Sequence, residues 1–214
     1  MADISKPLDV IMEQVREAFA SKNRAREKAL PLCRDSIRFS ANAIRAVHRH
    51  EFDAARDLAS KAGAQVALAK QSLAGHPDIF HAGFVHDAQK EFAEASITLA
   101  LIAGDEMPTP QALDVELPAY LNGMGEAVGE LRRHLLDTLR AGDVDQCEEW
   151  LRAMDEMYSV LVTVDYPDAM TGGLRRTTDS VRGILEKTRG DLTLSVQQRR
   201  LEQRLDAFGE KLGG

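Results

Sequence analysis

Four glutamates fall into two pairs with helical spacing. Glu91 and Glu94 sit in Gln89-Lys90-Glu91-Phe92-Ala93-Glu94-Ala95, and Glu126 and Glu130 sit in Gly125-Glu126-Ala127-Val128-Gly129-Glu130. Separations of three and four put each pair on one face of its own helix, with Cβ atoms roughly 5–6 Å apart. If the two faces meet, four carboxylates crowd one pocket. At an effective dielectric of about 20, two such charges about 5 Å apart repel by roughly 3 kcal/mol. A buried cluster therefore needs a cation, whereas a solvated one needs nothing.

An oxygen-only ligand set favours Mg²⁺, with Mn²⁺ as an alternative, over zinc. Di-iron bundles use Glu-x-x-His, but the positions three after Glu91 and Glu126 are Glu94 and Gly129. Hard cations on carboxylates suit phosphodiester hydrolysis, in which metals activate water and hold the departing oxygen. Taken singly, each pair also fits a solvated helix margin. Gly123, Gly125 and Gly129 weigh against that bland reading. Each costs a helix interior about 1 kcal/mol relative to alanine, so another helix or a substrate is expected to approach that backbone closely.

A basic stretch supplies a second candidate surface. Arg34, Arg38, Arg45 and Arg49 recur at helical spacing, with Asn42 and His48 between them. Each alone reads as a solvated side chain; as a group they suit nucleic-acid phosphates. We take Arg34, Arg38, Arg45 and His48 as the candidate RNA-binding residues. Aromatics make up only 5% of the chain, so base-stacking platforms are poorly supplied and backbone contact with little sequence preference is expected. His76, His81 and His86 share no convincing metal-ligand spacing and read as surface or RNA-contact residues. No Gly-rich phosphate loop, nucleophile elbow or Cys-x-x-Cys occurs.

The elements that must position these residues read as helix almost throughout, with alanine, leucine, arginine and glutamate dominant. Residues 8–50 form one long helix or two nearly continuous ones, with a kink or break expected at Pro31. A second helix runs over about 53–74, and Gly75-His76-Pro77-Asp78 closes it with Asp78 as the next N-cap. A third, about 79–103, carries Glu91 and Glu94. After a loop at 104–110, a fourth over 117–141 carries Glu126 and Glu130. Gly142-Asp143 is a C′ glycine followed by an N-cap. A fifth spans 144–163, a sixth 168–189 with Gly172-Gly173 softening its start, and a seventh follows Gly190-Asp191 and ends near 208. The expectation is one all-α domain over 1–214, a seven-helix bundle of long antiparallel helices with flexible ends at 1–7 and 209–214. A faint echo between 50–58 and 142–150 admits a helical-repeat scaffold, but it does not recur a third time.

Composition narrows the class. A length of 214 residues with 44% hydrophobic and 29% charged content describes a soluble globular chain. No apolar run reaches the roughly 18–20 residues that a membrane span requires, and the N-terminus lacks a secretory pattern. Cys33 and Cys147, far apart in sequence, read as buried thiols of a cytoplasmic protein. The net charge of −7 is unevenly spread. Residues 1–50 hold ten Lys/Arg and six Asp/Glu (+4), and the remainder holds seventeen against twenty-eight (−11). Polyanion binding must therefore be local.

From about Arg26 to Asp191 the chain resembles the translin family, which includes translin, translin-associated factor X and archaeal members. The stretches that carry the likeness are Arg26-Glu27-Lys28 through Ala46-Val47-His48-Arg49, then Gln89 to Ala95. They continue with Tyr120-Leu121-Asn122-Gly123, Gly129-Glu130-Leu131-Arg132-Arg133, Gly142-Asp143 and Gly173-Leu174-Arg175-Arg176. The resemblance implies a seven-helix subunit, assembly into a hollow homo-octamer, and single-stranded RNA or DNA bound inside. It further implies that catalytic members are Mg²⁺-dependent endoribonucleases with acids on two cavity-facing helices. Glu91, Glu94 and Glu130 match those acids. The remaining position, usually aspartate in translin-associated factor X, is Glu126 here, one methylene longer.

Three functions stand at this point. The first is a Mg²⁺-dependent endoribonuclease with Glu91, Glu94, Glu126 and Glu130 as catalytic and metal-holding residues. The second is a non-catalytic single-stranded nucleic-acid scaffold, and the third is a helical protein-interaction module.

Overall fold

A computed structural model describes residues 5–212, and among these every regular element is an α-helix. In chain order they are α1 (Ser5–His48), α2 (Phe52–Ser72), α3 (Pro77–Phe80) and α4 (Phe84–Ala103), then α5 (Leu117–Arg140), α6 (Val144–Leu161), α7 (Asp168–Thr171) and α8 (Leu174–Leu212). Two are single turns; the six long helices form the bundle. None of the described helices is long and apolar enough to cross a membrane. The flexible ends expected at 1–7 and 209–214 lie partly outside the described residues; 5–7 and 209–212 are helical.

The bundle is organised around α4 and α5. Burial on α4 is nearly continuous from Phe92 to Ala100, because α1, α2 and α5 all pack against it. One core joins α4 to α5, α6 and α8 through Phe92, Val128, Leu131, Met154 and Leu185. A smaller cluster closes the α1–α2 turn against α4, with Ala43, Val47, Ala55, Ala95 and Leu99. Alanine at many of these contacts lets the helix axes approach closely.

Four local features depart from the sequence expectation. α1 runs unbroken through Pro31; the proline lies on its exposed face, where the carbonyl left without a donor can turn to water. Asp78 does not cap the third long helix. Pro77 starts the one-turn α3, Asp78 pairs with Lys22 at 2.6 Å, and Gly83 at φ +98° resets the chain before α4. The Gly190-Asp191 break is also absent, since α8 is continuous there. Leu192 is buried and the Asp191 carboxylate accepts from Arg132 on α5 at 2.7 Å, so tertiary packing overrides the glycine. The interruption falls instead at Gly172 and Gly173, with φ of +62° and +84°. Two expectations match: Gly142 has φ +88°, and the Asp143 carboxylate accepts from the Gln146 amide. Cys33 and Cys147 are free and buried, and burial raises the Cys33 thiol to about 11.

Candidate metal and substrate site

Helix α5 meets α4 where the acids lie. At Gly123 an added Cβ would stand 2.6 Å from the Lys90 carbonyl oxygen and 2.9 Å from the Ala93 Cβ. Only a residue without a side chain permits that approach. Gly125 plays the same part toward α8, where a Cβ would collide with the Thr177 methyl. Gly129 faces nothing nearer than Ile184, at an ordinary 3.9 Å. Two of the three helix-interior glycines thus mark close helix contacts.

Pinned in this way, the two helices bring Glu91, Glu94 and Glu126 together. One carboxylate oxygen from each lies within 4.8 Å of the others. Glu94 is the deepest, 9% exposed. Burial pushes its carboxyl up to about 8, reinforced by the charges of Glu91, Glu126 and Glu130 and opposed by Lys90. The Glu91 carboxyl is also raised, chiefly by burial, with the Lys90 charge working against it. As metal-free carboxylates these groups are poorly stabilised, which is the electrostatic condition a divalent cation relieves.

Glu130 is placed differently. It pairs with His48 Nε2 at 2.5 Å across 82 residues of sequence, and it is not part of the three-carboxylate group. The His48 side chain is 4% exposed and its Nδ1 has no hydrogen-bond partner. This burial leaves almost no surface to offer a phosphate, so its geometry fits positioning of Glu130 better than gripping RNA from solvent. Arg34, Arg38 and Arg45 lie on the exposed face of α1. Arg38 pairs with Asp35 at 2.9 Å, and Arg45 donates to Asn42 at 2.8 Å.

One residue that sequence reasoning left unassigned stands inside the cluster. Lys90 donates from Nζ to Glu126 Oε1 at 2.7 Å and lies 3.6 Å from Glu91 Oε1. Burial works to lower its pKa, but the hydrogen bond to Glu126 and the charges of Glu126, Glu91 and Asp87 raise it overall. Its neighbour in sequence is Glu91, yet consecutive helix residues do not face each other. The pairing with α5 is therefore a tertiary feature without a local signal.

Glu94, Glu126 and Lys90 open onto a cavity of about 750 Å³ whose far wall is α7 and α8, including Arg176, Thr177 and Ser180. Asn122 ties that wall to α5: it donates to the Thr171 carbonyl at 2.8 Å and accepts from the Thr177 hydroxyl at 2.6 Å. Gly172 lets the α7–α8 corner sit against the His86 ring, which an added Cβ would meet at 2.9 Å. His86 therefore lines the cavity, while His81 lines a different one with Glu116 and Pro118. The arrangement is a polar cleft walled by the carboxylates of Asp87, Glu94, Glu126 and Asp168, the Lys90 ammonium and the Arg176 guanidinium.

No protein-family model matches the chain. An uncharacterized protein of Methanocaldococcus jannaschii is 30% identical over 188 residues, spanning 87% of this chain and 83% of its own. Archaeal and fungal translin-family structures share the fold. AfC3PO in complex with duplex RNA is 29% identical, with a TM-score of 0.78 over 88% of this chain and 97% of its own. The crystal structure of AfC3PO gives the same identity and TM-score. Apo-NeC3PO, only 17% identical, matches at 0.76 over 86% of this chain and 96% of its own, a likeness of fold alone. With its residue motifs, the close packing of α4 on α5 and these likenesses, the chain belongs to the translin family.

Proposed function

We propose that this protein is a divalent-metal-dependent endoribonuclease acting on single-stranded RNA. The observation that carries the reading is the convergence of Glu91, Glu94 and Glu126 within 4.8 Å beside a large polar cleft. Oxygen-only ligands fit Mg²⁺ or Mn²⁺. When bound, such an ion supplies an activated water and a counter-charge for the phosphate. The net reaction joins a water oxygen to phosphorus, breaks the bond from phosphorus to one sugar oxygen, and leaves a proton on that oxygen.

The chain's own residues do the rest. Glu91, Glu94 and Glu126 hold the cation; His48 fixes Glu130 one turn further along α5; Arg176 faces the cleft as a phosphate contact. Arg34, Arg38 and Arg45 form a basic stripe along exposed α1 for more distant phosphates. The AfC3PO complex with duplex RNA supports a nucleic-acid substrate for this fold at 29% identity. Single-stranded DNA would share the backbone contacts.

Assembly into a homo-oligomer, an octamer by family resemblance, belongs to the same proposal. Leu8, Ile11, Met12, Val15 and Phe19 on α1 are exposed, as are Leu194, Leu201, Leu205 and Phe208 on α8. Apolar surface of that extent on two projecting helix ends suits burial between copies.

One observation favours a second reading, a non-catalytic single-stranded nucleic-acid scaffold. Lys90 already neutralises part of the acidic cluster, so the fold tolerates these carboxylates without a metal. Labelled single-stranded RNA incubated with Mg²⁺ or with EDTA, beside Glu126→Gln, separates the two. Cleavage that requires Mg²⁺ and falls roughly a hundredfold in the variant supports the enzyme. Binding without cleavage supports the scaffold, and neither activity contradicts both.

A further inference from the structure

Lys90 has no place among the four acids that carry the proposed chemistry, yet it stands inside their cluster. Its backbone carbonyl abuts Gly123, at the tightest approach of α4 to α5. One turn along α5 from Gly123 lies Glu126, whose carboxylate accepts from the Lys90 ammonium at 2.7 Å; the same ammonium is 3.6 Å from Glu91. The lysine thus spans both helices of the acidic group, lines the cavity, and keeps its side chain 20% exposed.

Position then bears on how many ions the group accepts. Among the carboxylates of Glu91, Glu94 and Glu126, whose oxygens lie within 4.8 Å of one another, the place beside Glu126 and near Glu91 is already filled by the ammonium. Two-metal hydrolytic sites hold their ions about 3.5–4 Å apart, and a lysine ammonium is a compact point charge on a flexible stem that can take the second position.

Resting on the ribonuclease reading above, we infer that Lys90 is the second cation of a one-metal site. Glu91, Glu94 and Glu126 hold a single divalent ion, and the Lys90 ammonium turns from Glu126 to the substrate phosphate, stabilising the charge that develops there.

Calorimetric titration of EDTA-stripped protein with Mn²⁺, paired with RNA cleavage in Mg²⁺, tests this for the wild type and for Lys90→Met, which keeps the stem and removes the charge. One Mn²⁺ per chain is expected for the wild type. Lys90→Met is expected to bind Mn²⁺ at least tenfold more tightly, having lost a competing cation, while cleaving RNA at least a hundredfold more slowly. Tighter metal with slower chemistry is a combination that a merely structural lysine does not give. Two Mn²⁺ per wild-type chain overturns the inference, as does a variant that cleaves at the wild-type rate or binds Mn²⁺ no more tightly. Each of those results leaves the ribonuclease reading intact if the wild type cleaves. A wild type that neither binds Mn²⁺ nor cleaves RNA overturns both. The wild-type count also stands independently of whether the variant folds.

Discussion

Two acidic positions one turn apart on α5 have opposite fates. Glu126 enters a crowded group with Glu91 and Glu94, whereas Glu130 is hydrogen-bonded to a histidine from the end of α1. Their sequence contexts are alike, each following a glycine in the same helix. The difference lies in what the neighbouring helix presents. Opposite Glu126, α4 offers two more carboxylates and a lysine; Glu130 meets His48 of α1. A carboxylate acquires metal-binding character from the charges it is packed against, not from its place in a motif.

The most damaging way to break that contrast is to remove one member of the crowded group. Glu126→Gln keeps size and hydrogen bonding but not charge, and should lower Mn²⁺ affinity and Mg²⁺-dependent cleavage by roughly a hundredfold. His48→Ala should leave Mn²⁺ stoichiometry unchanged while lowering stability by about 1.5–3 kcal/mol, the scale of a hydrogen bond to a charged group. Calorimetry and urea denaturation report the two quantities. Equal loss of metal binding in both variants would erase the distinction between the positions.

Smaller effects sharpen it further. Gly123→Ala forces α4 from α5 and should cost about 1–3 kcal/mol by overpacking, whereas Gly129→Ala, with room for its methyl, should gain up to about 1 kcal/mol of helix propensity. Chemical denaturation of both variants measures the pair, and equal signs would contradict the assigned contacts.

The metal-free protein should also show a pH signature. Its Glu94 carboxyl titrates near 8 against an ordinary value of 4.5. Between those values the folded chain retains a proton that the unfolded chain has lost. Stability fully present below about pH 4.5 is therefore lost as pH rises toward 8, with a slope of at most about 1.4 kcal/mol per pH unit. Glu94→Gln should flatten that slope in thermal melts, and an unchanged slope would place the titrating group elsewhere.

Much of this arrangement was legible in the chain. Helical spacing of three and four identified both acid pairs, and the energetic cost of Gly123 and Gly125 signalled a close approach before any coordinates. The cross-helix partners were not legible. Lys90 meets Glu126 across 36 residues and His48 meets Glu130 across 82, and no local pattern encodes such encounters. The basic stripe was read as one surface from spacing alone, yet burial separates His48 from the exposed arginines. Helix ends failed for a related reason. Gly142-Asp143 and Gly190-Asp191 carry the same punctuation, but only the first glycine adopts a positive φ, because Arg132 and the core hold α8 straight past the second.

The central claim is that α4 and α5 together form one cation site from Glu91, Glu94 and Glu126. Anomalous scattering from Mn²⁺-loaded crystals tests it most directly. One peak is expected between those three carboxylates, with oxygen distances of about 2.1 Å. A peak only at the Glu130–His48 pair, or no peak with Lys90 still paired to Glu126 and Glu91, would contradict it.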